Sequence, residues 1–182
     1  MNTVNSSTKN RFISEIIAKN LENLTQNFSN VVFVFVGTDA NTGDSLGPLT
    51  GTLLNLESNK IYTYGSLSAP ITAKEVPYIA KFIKKAHPTS FIVVVDAALG
   101  KKQDLGQIKV LKEGIQPGLG VNKKLPVIGD AGIIGVVGEK SAFSESVLGL
   151  ARLSDVYTMA QVIKNGIEIF ATAKNNNVKR YL

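Results

Sequence analysis

The chain has 182 residues, 44% of them hydrophobic and 19% charged, with a formal net charge of +6, which suffices for one domain with a sizeable core and is short for two. It contains no cysteine, and this excludes disulfides, thiol catalysis and cysteine-bound zinc. No segment reaches the roughly 18–20 apolar residues of a membrane span, and the polar start MNTVNSSTKNRF lacks the apolar core of a signal peptide, so a cytoplasmic protein with no membrane partner is expected.

Residues 7–27 place Ile13, Ile16, Ile17, Leu21 and Leu24 on one helical face. VVFVFV (31–36) is a continuous β-branched and aromatic run, as in a strand buried on both faces. A glycine-rich loop follows, and residues 45–56 read as a short helix. KIYTYG (60–65) reads as the next strand. Thr72 and Glu75 form a capping box that opens a helix to about Ala86, with Pro77 set to kink or delay it. FIVVVD (91–96) is a second fully buried strand that ends in an acid. GQIKVLK (106–112) alternates as an edge strand does. LPVIGDAGIIGVVG (125–138) reads as strand, turn and strand or helix start. Val156, Met159, Ala160, Ile163, Ile167, Phe170 and Ala171 line one face of a long helix capped by Ser154. Residues 1–6 and 175–182 read as flexible ends of a single α/β domain spanning 1–182. The lysines come in short pairs (Lys84-Lys85, Lys101-Lys102, Lys123-Lys124) without interleaved aromatics. They read as solvated surface rather than as a nucleic-acid face.

Alternating strands and helices, with all-apolar central strands, imply a mostly parallel sheet covered on both faces, a three-layer α/β/α sandwich. Ligands in such folds bind outside the carboxyl ends of the strands. The loop after VVFVFV and the acid Asp96 both fall there.

The loop GTDANTGDSLGP (37–48) satisfies three motifs at once. GDSLG fits the serine nucleophile elbow, but that elbow needs a histidine base. His87, the single histidine, lies nine residues before Asp96. A strand between them places it roughly 25 Å away, at the opposite sheet edge. A Walker loop needs four residues between its glycines and then Lys. Here five intervene between Gly37 and Gly43, and Asp44 stands at the lysine position. The dinucleotide fingerprint is also missing, because Gly118-Leu119-Gly120 has no third glycine. The carboxylates remain.

Three stretches, GTDANTGDSLGPLTG, HPTSFIVVVDAALG and LPVIGDAGIIGV, resemble blocks of the YyaC-type sporulation proteins, which are related to the germination protease of endospore-forming bacteria. The resemblance runs from about residue 31 to residue 140. Asp44-Ser45-Leu46-Gly47-Pro48 matches the protease's Asp-Ala-Leu-Gly-Pro, and Asp96-Ala97-Ala98-Leu99 matches its Asp-Ala-Leu-Ala. Residues 128–133 match a glycine-rich block. The resemblance implies a phosphorylase/hydrolase-like α/β/α fold and a catalytic role for Asp44 and Asp96. Gly37, Asp39, Gly43, Ser45, Gly47, Gly129, Asp130 and Gly132 are then the supporting loop residues. It also implies a protein or peptide substrate, small acid-soluble spore proteins among the candidates, and a setting in the spore or sporulating cell. Hydrogenase maturation endopeptidases are similar more distantly and grip a metal with the two acids and a histidine. That histidine has no counterpart here, and Asp130 is the one replacement, although a Gly-Asp turn is more often structural. No cofactor is expected. A divalent cation is the alternative, with Asp44, Asp96 and Asp130 as oxygen ligands suited to a hard ion.

Two carboxyls in one small site cannot both ionise easily, so one holds a proton while the other serves as base. The sequence assigns these roles to neither acid and does not fix the oligomeric state. Ser45 caps the following helix or hydrogen-bonds Asp44, and Asp39 is a third acid to test.

Overall fold

A computed structural model describes residues 6–7, 12–117, 126–140 and 144–176. The chain runs β1 (Ser6–Ser7), α1 (Ile13–Leu24), β2 (Val31–Phe35), a 3-10 turn (Gly43–Ser45), α2 (Leu46–Leu53), β3 (Ile61–Tyr64), α3 (Val76–Ala86) and β4 (Phe91–Gly100). A second 3-10 turn (Lys102–Asp104), β5 (Gln107–Leu111), β6 (Ala131–Glu139), α4 (Ser144–Gly149) and α5 (Leu153–Asn176) follow. The sheet order is β1-β5-β6-β4-β2-β3. The β3–β2, β2–β4 and β4–β6 pairs are parallel, while β5 and β1 add antiparallel pairs at one edge. The fold is α/β with a mostly parallel central sheet, as the alternating pattern implies.

Strand alternation divides the core in two. Phe33, Phe35, Val93, Val95 and Ile133 point to the face covered by α1, α2 and α5, where they meet Ile17, Leu46, Ile163 and Phe170. Val32, Val34 and Val94 point to the other face, where Val76 and Ile83 of α3 cover them together with Ile115 and Ile128. This is why VVFVF has no polar position: every residue of β2 is buried.

Several boundaries differ from the sequence reading. β4 does not stop at Asp96 but continues to Gly100, because β6 is long enough to pair with the extension; Asp96 stands opposite Ile134. Half of the capping box forms: the Glu75 carboxylate accepts hydrogen bonds from the Thr72 amide and hydroxyl, while the Thr72 hydroxyl accepts from the Lys74 amide instead of that of Glu75. A turn follows it, however, and α3 begins only at Val76. That puts Pro77 in the first turn, where its missing N–H costs nothing. Ser154 is inside the first turn of α5 rather than ahead of it, and its hydroxyl faces the Asp155 carboxylate at 3.4 Å. The short helix α4 was not foreseen. Asn175, read as part of a loose tail, belongs to α5. It accepts a hydrogen bond from the Ser58 hydroxyl (2.9 Å) and donates one to the Glu57 carbonyl (3.2 Å). Ser6 pairs with Ile108 of β5. Asn176 closes α5, and residues 1–5, 177–182 and Gly118–Gly120 lie outside the described residues.

Candidate functional site

The crevice between β2 and β4 is where the winding of the sheet changes direction. The chain leaves β2 toward β3 on one side, and leaves β4 toward β5 and β6 on the other. Such a switch point opens a cleft at the carboxyl ends of the two strands. The cleft is held closed at its base by the Val36 amide, which donates to the Val95 carbonyl at 2.8 Å.

Asp44 comes to this cleft on a tightly folded loop. Gly37 has φ of 136°, a conformation that favours glycine, and its amide donates to the Ile71 carbonyl at 2.9 Å. A β-carbon there would lie 2.0 Å from the Asp44 carbonyl oxygen, and one on Gly47 would lie 2.1 Å from the Val36 carbonyl oxygen. The loop therefore crosses its own stem twice at backbone contact distance. The Thr38 amide also donates to the Asp44 carbonyl at 3.2 Å. Gly43 packs against Leu148 and Ala151 at the α4–α5 junction.

Asp96 is brought by β4 on the face of Val94. It is 7% exposed, and its Oδ1 accepts a hydrogen bond from the Ala97 amide at 2.8 Å. Burial pushes its pKa well above the ordinary carboxylate range, and the neighbouring Asp44 charge pushes it further; the Ala97 hydrogen bond acts the other way. The two acids line one open cavity of about 540 Å³. Its walls are Ala98, Leu111, Ile115, Val127, Ile134 and Leu148, with Glu113, Gln116 and Lys140 among its polar groups.

The remaining sequence-derived residues divide. Ser45 is buried, and its hydroxyl donates to the Thr42 carbonyl at 2.6 Å. It neither caps α2 with its side chain nor stands ready as a nucleophile. Asp39 is exposed on the loop and does not line the cavity. His87 is tied to the edge strand β3: its Nε2 is 2.7 Å from the Tyr64 hydroxyl, and its ring centroid is 4.4 Å from that of Tyr62.

The glycine-rich block was expected beside the acid pair, and the structure corrects this. Gly129 and Asp130 precede β6, and Gly132 follows one residue into it. The Asp130 carboxylate accepts from the Ile92 amide at 2.8 Å, and its own amide donates to the Ile92 carbonyl at 2.7 Å. Ile92 is four residues before Asp96 on an extended strand, so Asp130 sits roughly 13 Å away, toward the amino edge of the sheet. The cause is register. β6 pairs parallel with β4 from Val93↔Ala131 onward, so the start of one lies beside the start of the other. Asp130 is a strand-alignment residue and cannot join Asp44 and Asp96 on one ion. Among the described residues, no three histidine or acidic side chains are grouped to hold a metal.

Sequence reasoning missed the cavity wall. Ile115 and Ile128 form an isolated antiparallel bridge with reciprocal hydrogen bonds of 3.0 and 2.8 Å. Ile115 lies so close over β6 that a β-carbon on Gly132 would be 2.3 Å from its Cγ2. The sequence signal was Gly132 facing an isolated isoleucine across a turn-rich segment, which no periodicity exposes.

"Uncharacterized protein YyaC" of Bacillus subtilis (strain 168) is 37% identical over 140 residues, covering 76% of this chain and 68% of that protein. A solved structure of the NiFe hydrogenase maturation protease HycI from Thermococcus kodakarensis KOD1 is 16% identical and covers 80% of this chain and 99% of its own, with a TM-score of 0.41. Residues 3–166 match the family described as "Protein of unknown function (DUF1256)". The chain belongs to this family, of the YyaC type.

Proposed function

We propose that the protein is a peptidase that uses Asp44 and Asp96 as a coupled pair to activate water. The observation that carries this reading is a buried carboxyl beside a second acid in an open cavity at the switch point of the sheet. Burial makes Asp96 the member that keeps the shared proton. Asp44, only partly buried, is then the ionised base. Asp44 takes a proton from water as it attacks the scissile carbonyl. Asp96 donates a hydrogen bond to the oxygen that gains charge and supplies the proton to the leaving amine. The pair titrates as one unit. The resemblance to sporulation proteins points to spore proteins as substrates, and the small acid-soluble class is the first to assay.

The test is cleavage of these proteins by wild type, Asp44→Asn, Asp96→Asn and Ser45→Ala. Each Asn variant should lose roughly 10²-fold or more while remaining folded. Ser45→Ala should lose far less, since its hydroxyl serves the loop. An inactive Ser45→Ala beside an active Asp96→Asn would restore the serine as nucleophile. A wild type that cleaves neither spore proteins nor a broad peptide library would leave a binding protein built on the same site.

A further inference from the structure

We propose that the cavity beside Asp44 and Asp96 is a side-chain subsite that admits an aliphatic residue of the substrate peptide, so that the bond cleaved is chosen by a leucine-, isoleucine- or methionine-like neighbour. The inference rests on the peptidase reading for the word substrate, and on the cavity itself for the chemistry selected.

The cavity is contiguous with both carboxyls, so whatever occupies it is held against the reacting groups. Its volume of about 540 Å³ is that of an ordinary small-ligand pocket, with room for an aliphatic side chain and its flanking backbone, and aliphatic side chains make up most of its wall. The wall is also built in advance of any ligand. Ile115 is fixed by its paired backbone bonds to Ile128, and it rests on the bare backbone of Gly132. Ile134 is held in register opposite Asp96. Neither sign of charge suits the aliphatic part of the wall, which would strip its water. An anionic side chain would enter beside two acids. Glu113 and Lys140 both line the cavity with opposite charge, so neither sign is selected by them. An aliphatic side chain is what such a wall rewards, by exclusion of water from both surfaces.

Two substitutions change the wall without touching the acids. Ala98→Leu fills the cavity from β4. Val127→Asp places a charge on a wall residue that is 66% exposed, where folding tolerates it. Wild type and both variants are given a position-scanning library of blocked peptides. In parallel, methyl spectra of wild type are recorded with blocked tripeptides that carry leucine, lysine or aspartate at the centre.

Wild type should prefer leucine, isoleucine or methionine over alanine at one subsite by ~10-fold or more. Ala98→Leu should shift the preference toward alanine, and Val127→Asp should weaken it. A preference for basic or acidic residues, or one that Ala98→Leu leaves unchanged, would overturn the subsite and leave the peptidase intact. With no cleavage of any peptide, shifts of the Ile115 and Ile134 methyls by the leucine peptide alone would uphold the subsite while the peptidase reading falls. Shifts with none of the three peptides would end the proposal.

Discussion

Replacing Asp96 by Asn should remove the pH dependence that this one residue imposes on stability. Ionising Asp96 costs more in the folded chain than in the unfolded one, because burial removes its water and Asp44 adds a like charge. Its folded pKa therefore lies above the unfolded value of about 3.9. Below the unfolded value the residue is protonated in both states and its contribution is fully present. As pH rises, the unfolded chain releases the proton first. Stability then falls by up to about 1.4 kcal/mol per pH unit until the raised folded pKa is passed. Asn keeps an oxygen to accept from the Ala97 amide and carries no charge at any pH. The difference in unfolding free energy, Asp96→Asn minus wild type, should thus grow with pH from about 4 upward. At the steepest rate this is roughly 3–6 °C of melting temperature per pH unit for a chain of this size. Urea titrations of both proteins from pH 4 to 8 measure it, and taking the difference cancels the carboxyls that are not coupled to Asp96. Asp44→Asn should flatten the wild-type slope only in part, since burial is the larger cause. A difference that stays constant across the range, or declines with pH, would refute the claim that Asp96 is held against ionisation.

Gly47→Ala should destabilise by roughly 1–3 kcal/mol, because its β-carbon would lie 2.1 Å from the Val36 carbonyl oxygen; thermal unfolding reads this directly. Ser45→Ala should cost about 1 kcal/mol, the value of the buried hydroxyl bond to Thr42, as measured by urea unfolding. Phe33→Ala, in the middle of β2 against Phe35 and Phe170, should cost about 3–5 kcal/mol. Tyr78→Ala, on the open face of α3 at 75% exposure, should stay within about 0.5 kcal/mol.

What the sequence disclosed of this fold followed local rules. VVFVF announced a strand buried on both faces because it has no polar position. Thr72 and Glu75 announced a helix because their spacing satisfies free amides. Asp44 and Asp96 were legible as neighbours in one cavity because each comes after an all-apolar run. What stayed hidden was decided across the sheet. The apolar run ends at Asp96, and only pairing with β6 carries the strand four residues further. Asp130 reads from the sequence as a structural turn ahead of a replacement ligand, and the register of β6 against β4 supplies the reason, sending it to the opposite edge. The cavity wall depends on Ile115 meeting Gly132 across a loop, a contact that leaves no period in the chain. Ser45 was placed correctly at the helix start, yet its hydroxyl turned back to Thr42 rather than forward to the helix amides.

The double crossing of the Asp44 loop separates what holds the acid from what surrounds it. The stem is tied at Gly37, Thr38, Asp44 and Gly47 largely through backbone atoms, with the Ser45 hydroxyl bond to Thr42 bracing it, so the position of Asp44 is set by this short run of main-chain contacts. Asp39, Ala40 and Asn41 form an exposed eyelet hung from that stem. The side chains of Asp39 and Ala40 take no part in the main-chain bonds that hold Asp44. The architecture thus lets the surface beside the cavity vary in charge and bulk while the acid stays where the stem puts it.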